Sequence, residues 1–242
     1  MNPLVFLHGV GGGPAAWDTQ VAHFSALGYR CVAWAQPGYG GRPAVEPYSL
    51  ETVAEALKRD LPAEAVLVGH SMGGCIAQEA YARFPERVRG LVLCCTSPAF
   101  VGASEFARQF IAERIGPLDR GQTMAQVAAR VMPAMRGSRS EPDALEKAER
   151  LMAAVPADTY RKAVALLTTF DRRADLERIA VPALLVAGSD DRTAPPAMMQ
   201  KMAQRIAGAQ YLRLAGCGHL GPMDQPAAFN AALEAFLRRN EL

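Results

Sequence analysis

Apolar positions along this chain fall into two alternating patterns. Residues 4–7, 30–33, 65–68, 90–94, 183–187 and 210–214 form short runs, mostly apolar or β-branched. Their length and content suit strands buried on both faces of a sheet. Longer stretches with apolar residues at helical spacing separate them, at 15–26, 50–60, 73–84, 196–206 and 227–239. Strand and helix in this alternation predict an α/β fold, with a mostly parallel, doubly wound sheet of about six strands.

From residue 97 to residue 178 the rhythm changes. Phe106, Phe110, Ile111 and Ile115 recur at helical spacing, as do Leu166, Leu167 and Phe170, and no convincing strand interrupts them. Gly116-Pro117, Met132-Pro133, the polar run from Gly137 to Pro142, and Pro156 punctuate the stretch. The expected organisation is a core formed by residues 1–96 and 179–242, with a helical cap inserted at 97–178. An insertion after a strand's carboxyl end sits above the sheet, where open α/β folds bind ligands.

Composition narrows the functional classes. Half of the 242 residues are apolar, 21% are charged and the net charge is +2, a balance that suits one globular core and gives no footprint for nucleic acid or an anionic membrane. No apolar run approaches the roughly 20 residues that cross a bilayer, and the first residues lack the form of a signal peptide. The five cysteines are odd in number and none are spaced C-x-x-C, which disfavours a disulfide framework or a zinc site. These features lead us to expect a cytoplasmic protein.

The strongest local signal is Val66-Leu67-Val68-Gly69-His70-Ser71-Met72-Gly73-Gly74, an apolar strand ending in G-x-S-x-G ahead of an amphipathic helix. In that context the serine occupies a sharp strand-to-helix turn, and side chains two residues either side would clash. Its hydroxyl is then exposed at a helix N-terminus, where free amides favour developing negative charge. A serine nucleophile needs a base, and only four histidines exist. His8 ends the first strand, His23 lies in a helix without a motif, and the side chain of His70 should point away from that of Ser71. His219, in Gly216-Cys217-Gly218-His219 after the last strand, is on a loop that can reach over the sheet edge. A carboxylate to orient it should end a strand, and Gly188-Ser189-Asp190-Asp191 offers two.

These motifs resemble the α/β-hydrolase fold family over nearly the whole chain, in particular its esterase, lactonase and carbon–carbon hydrolase branch. The resemblance implies a Ser71–His219–Asp191 triad, since the family's G-x-x-D turn selects Asp191 over Asp190. It also implies an oxyanion hole made of the amides of Val10, in His8-Gly9-Val10, and Met72. Serine at the turn argues against the dehalogenases and epoxide hydrolases of this fold, which use aspartate there. Relatives commonly begin with a β-hairpin for which this chain has no room.

Trp17 is a candidate pocket residue, and Phe100, Phe106, Phe110, Met132, Met135 and Phe170 are candidate walls contributed by the cap. Arg108, Arg130 and Arg136 are candidate partners for a substrate carboxylate. The segment Thr169-Phe170-Asp171-Arg172-Arg173 resembles the corresponding stretch of 3-oxoadipate enol-lactonases. The expectation is a hydrolase of a small carboxylic ester or lactone, using no cofactor and no metal. Cleavage of a carbon–carbon bond in a vinylogous diketone, or ligand-binding signalling on a hydrolase scaffold, are the alternatives.

Overall fold

The computed structural model describes residues 1–100 and 104–242, so residues 101–103 of the expected cap lie outside the described part. Among the described residues, β1 (Leu4–Leu7), β2 (Cys31–Trp34), β3 (Ala65–His70), β4 (Val88–Cys94), β5 (Ala183–Gly188) and β6 (Gln210–Leu214) form one sheet. The strand order is β2-β1-β3-β4-β5-β6, and every neighbouring pair is parallel. The inner strands β1, β3 and β5 are buried along their whole length, whereas the edge strands β2 and β6 are half-buried. That difference explains why 210–214 tolerates Gln210 and Arg213 in an otherwise apolar set of strands.

Successive strand residues face opposite layers. Leu4, Phe6, Val66, Val68 and Val92 join Phe24 of α1 (Asp18–Ala26) and Phe229, Leu233 and Phe236 of α9 (Pro226–Arg239). Their neighbours Val5, Leu7, Leu67, Leu91 and Leu93 face the other way. They meet α2 (Leu50–Asp60), α3 (Met72–Arg83) and α8 (Pro196–Gln204) through Leu57, Ile76 and Met199.

Among the described residues four α-helices lie between β4 and β5: α4 (Glu105–Asp119), α5 (Met124–Val131), α6 (Ala144–Ala153) and α7 (Ala157–Leu167). Phe110, Val127, Met152, Tyr160 and Val164 from these helices belong to the same apolar cluster as the α2/α3 layer. One expected break is absent, because α4 continues through Gly116-Pro117 to Asp119. Proline removes one helical hydrogen bond and frees the carbonyl four residues earlier. That carbonyl, of Glu113, accepts a hydrogen bond from the Arg130 guanidinium, so the helix keeps its last turn. No helix among the described residues is long and apolar enough to cross a membrane.

The closest approach in the fold is between α3 and the strand ends. A Cβ at Gly73 would lie 2.0 Å from the Leu7 carbonyl oxygen, and one at Gly69 would lie 2.5 Å from the Gly73 carbonyl oxygen. Both obstacles are main chain and cannot swing aside. Gly73→Ala should therefore lower the unfolding free energy by about 3 kcal/mol or more, the upper end of overpacking costs. Gly13→Ala, where nothing lies within 4 Å of the new methyl, should stay within about 0.5 kcal/mol. Urea unfolding followed by circular dichroism compares the two directly.

Candidate active site

Strand β3 ends at His70 and α3 starts at Met72, so Ser71 alone makes the reversal, with φ 52° and ψ −119°. A side chain in this left-handed region costs on the order of 1–3 kcal/mol and persists only where the surroundings enforce it. Here the Ser71 amide donates to the Cys94 carbonyl at 2.9 Å. Its own carbonyl accepts from the Gly74 amide at 2.9 Å and from the Thr96 hydroxyl at 2.8 Å. The Ser71 side chain is left facing the cavity.

The structure brings Ser71, His219 and Asp191 into one hydrogen-bonded line. His219 Nε2 lies 3.0 Å from Ser71 Oγ, and Nδ1 lies 2.8 Å from Asp191 Oδ2. The other oxygen of Asp191 accepts from the amides of Thr193 and Ala194 at 2.8 and 2.9 Å. Burial acts to raise the pKa of this carboxyl, but His219 and the two amides outweigh it and hold the carboxyl below its ordinary value. Asp190 turns the other way, is exposed, and accepts from the amide and hydroxyl of Ser138 at 2.9 and 2.6 Å. These bonds, with one from Ser189, lower its pKa to about 2. An ionised, immobile carboxylate behind an imidazole fixes the ring tautomer and stabilises the imidazolium. This arrangement can withdraw a proton from Ser71.

Several residues hold this geometry in roles that the sequence did not signal. The His219 amide donates to the Met135 carbonyl at 2.7 Å, and the Gly218 amide donates to Asp224 Oδ2 at 2.6 Å. The ring of His70 donates from Nε2 to the His219 carbonyl at 2.6 Å, with the two rings 5.5 Å apart. His70 therefore braces the histidine loop from below. Nothing in the spacing of Met135 or Ser138 signals these contacts, because their partners His219 and Asp190 lie more than 50 residues away in the chain.

The loop after β1 is fixed just as firmly. The Gln36 side-chain amide donates to the His8 carbonyl at 2.6 Å, and the Tyr39 hydroxyl donates to the Val10 carbonyl at 2.9 Å. Val10 lines the cavity beside Ser71. Met72 is the first residue of α3, and its amide has no acceptor within the helix. Trp17 departs from expectation. It is 1% exposed and packs on Phe6 and Phe229 in the core layer beneath the loop, not on the cavity. The short helical turn Pro14–Trp17 directs the indole inward, and its neighbour Ala16 reaches the cavity wall instead.

Ser71 and His219 stand where two chambers meet. The smaller, of about 60 Å³, is walled by Val10, Arg114, Met132, Met135, Leu151 and Tyr160. The larger, of about 410 Å³, is walled by Met72, Phe100, Phe106, Leu167 and Met198, and Phe110 borders both. Of the expected wall residues only Phe170 lines neither, being buried in the core cluster. Arg108 pairs with Glu105, Arg130 serves the Glu113 carbonyl, and Arg136 borders neither chamber. Among the described residues no group of three or more His, Cys, Asp or Glu side chains is placed to hold a metal ion.

Comparison with known proteins identifies the family. A sequence model of the alpha/beta hydrolase family matches residues 4–232. The chain is 31% identical to a pimeloyl-[acyl-carrier protein] methyl ester esterase of Aromatoleum aromaticum, over 97% of this chain and 98% of that protein. It is 29% identical to 3-oxoadipate enol-lactonase 2 of Acinetobacter baylyi, over 98% of this chain and 88% of that one. Among solved structures, the enol-lactonase from Burkholderia xenovorans LB400 superposes with a TM-score of 0.84 at 25% identity, covering 98% of this chain and 92% of its own.

Burial sets the charge of the two supporting histidines. It drives the pKa of both His8 and His70 down to about 4, with the bond to the Gly9 carbonyl offsetting part of the effect for His8 and that to the His219 carbonyl part of it for His70. Both rings are neutral at pH 7. An unfolded histidine titrates near 6.5, so between pH 6.5 and 4 the unfolded chain binds more protons than the folded one. The stability these rings confer is thus complete above about pH 6.5 and lost as pH falls toward 4. Urea unfolding over this range should show a loss of up to about 3 kcal/mol per histidine, and His70→Gln should flatten the curve. An equal slope in that variant would assign the pH dependence to other groups.

Proposed function

The chain belongs to the alpha/beta hydrolase family, and within it we propose a hydrolase of a small carboxylic ester or lactone that acts through an acyl-enzyme on Ser71. The observation that carries this reading is the unbroken hydrogen-bonded line from Asp191 through His219 to Ser71, opening on a largely apolar cavity. Esterases and lactonases among the relatives support it.

The substrate carbonyl enters where the two chambers meet. Ser71 Oγ attacks the carbonyl carbon as His219 Nε2 takes the hydroxyl proton, and Asp191 remains ionised and stabilises the imidazolium. The amides of Val10 and Met72 donate to the oxyanion. Collapse of the tetrahedral intermediate breaks the carbon–oxygen bond to the leaving group, which receives the proton from His219. Water then attacks the acyl-enzyme, His219 takes the water's proton and returns it to Ser71, and the free acid leaves. The helices between residues 97 and 178 act as a cap that selects substrates by size and supply no reacting group.

A fluorophosphonate probe should label Ser71 alone, and Ser71→Ala should abolish labelling and cut kcat by on the order of 10⁶. Undiminished ester turnover in that variant would sink the mechanism.

The two neighbouring acids provide a second test, assayed side by side on one activated ester. Asp191→Asn should cost roughly 10⁴ in kcat by leaving the wrong histidine tautomer. Asp190→Asn, on the exposed side of the turn, should cost at most about a few-fold, as is usual for surface changes. Reversed losses would move the orienting role to Asp190.

A further inference from the structure

Arg114, on α4, is a buried cation whose one ion pair among the described residues is a long one. It is 5% exposed, and its guanidinium carbon stacks 3.7 Å from the centroid of the Phe110 ring. The nearest carboxylate among its recorded ion pairs, Glu113, is 4.0 Å away and half exposed. Its other neighbour is the phenol of Tyr160, which burial pushes up to about 12 and so keeps neutral. Buried charges in folded proteins are ordinarily paired, and this chain observes the rule elsewhere. Glu79, equally buried, is held by both Arg83 and Arg172 at 2.5 and 2.7 Å. At Arg114 the pairing among the described residues is a single contact at 4.0 Å to a half-exposed carboxylate.

Position suggests what completes it. Arg114 and Tyr160 wall the same small chamber as Ser71 and His219, and the rest of its lining is largely apolar. Phe110 covers one face of the guanidinium and the Tyr160 oxygen engages part of its edge, so the remaining edge N–H groups are the donors for an incoming anion, a planar geometry that matches a carboxylate. Arg114 also borders the outer groove, where Arg130 and Arg192 stand with one acid, Glu113, and this excess of cations favours the approach of an anion. At about 60 Å³ the chamber is the smaller of the two, which suits a short chain better than a bulky one.

Building on the ester-hydrolase reading, we propose that the preferred substrate carries a second, free carboxylate on its acyl part. Arg114 and the Tyr160 hydroxyl receive that carboxylate while the scissile carbonyl lies at Ser71. The substrate class is a half-ester or lactone of a short dicarboxylic acid, and Arg114 determines that specificity.

The test compares monomethyl esters of succinate through pimelate with the same esters ending in a carboxamide. The wild-type protein should favour the carboxylate over the carboxamide by about ten- to a hundredfold in kcat/KM, the range for a hydrogen-bonded charge. Arg114→Met should bring that ratio close to one, and Arg114→Lys should retain part of it. In parallel, free glutarate should slow fluorophosphonate labelling of Ser71 in the wild type and not in Arg114→Met, a readout that needs no turnover. A wild-type ratio near one, or a preference that survives in Arg114→Met, overturns the proposal. Glutarate protection without turnover of any ester would keep the carboxylate subsite and reject ester hydrolysis. Equal turnover of both ester series without protection would do the reverse. Should Arg114→Met fail to fold, the wild-type ratio and protection decide alone.

Discussion

Where the first turn of α3 meets the carboxyl end of β1, two main chains touch with no side chain between them. Gly73 lies against the Leu7 carbonyl and Gly69 lies against Gly73, so the helix cannot retreat from the sheet. The chain must reverse within one residue, and Ser71 takes a backbone conformation that an unconstrained serine rarely adopts. The other contacts follow from that anchor. The Ser71 hydroxyl has a fixed position for His219 to meet, and Met72, the first residue of the helix, borders the larger chamber.

Much of this is legible in the sequence because the signals are local. Each inner strand is a continuous apolar run, and the serine turn is written in five consecutive residues. Asp191 was separable from Asp190 only through family resemblance, since residue type is the same at both positions. The features that escaped are the ones made by distant segments. Trp17 reads as a pocket residue from its place after a glycine loop, yet the core under that loop needs a large ring against Phe6 and Phe229. Gly116-Pro117 reads as a break, yet α4 runs on to Asp119 with the Arg130 guanidinium on the freed Glu113 carbonyl. Arg114 is one of many arginines until the fold buries it.

The same contrast bears on the stretch from Thr169 to Arg173. Its likeness to enol-lactonases suggests substrate, but the side chains are engaged elsewhere. Phe170 is buried, Arg172 binds Glu79 and Asp175, and Arg173 binds Asp171. This segment ties the returning end of the insertion to α3. Shared sequence here speaks of how the insertion is attached.

The loop between α5 and α6 is sewn to the opposite side of the molecule. Met135 accepts from the His219 amide, Ser138 donates to Asp190, the Arg139 amide donates to the Gly216 carbonyl, and Ser140 donates to Asp224. Gly137 and Gly218 approach so closely that neither has room for a methyl group. The helices on either side are joined to the core through side chains, but this loop is joined through main chain as well. An exchange of the helical insertion between relatives, whether by natural recombination or by engineering, thus cannot treat it as a cassette cut at residues 97 and 178. The seam that matters runs through residues 135–141 and 216–224, and the two strips have to travel together or the imidazole loses its footing.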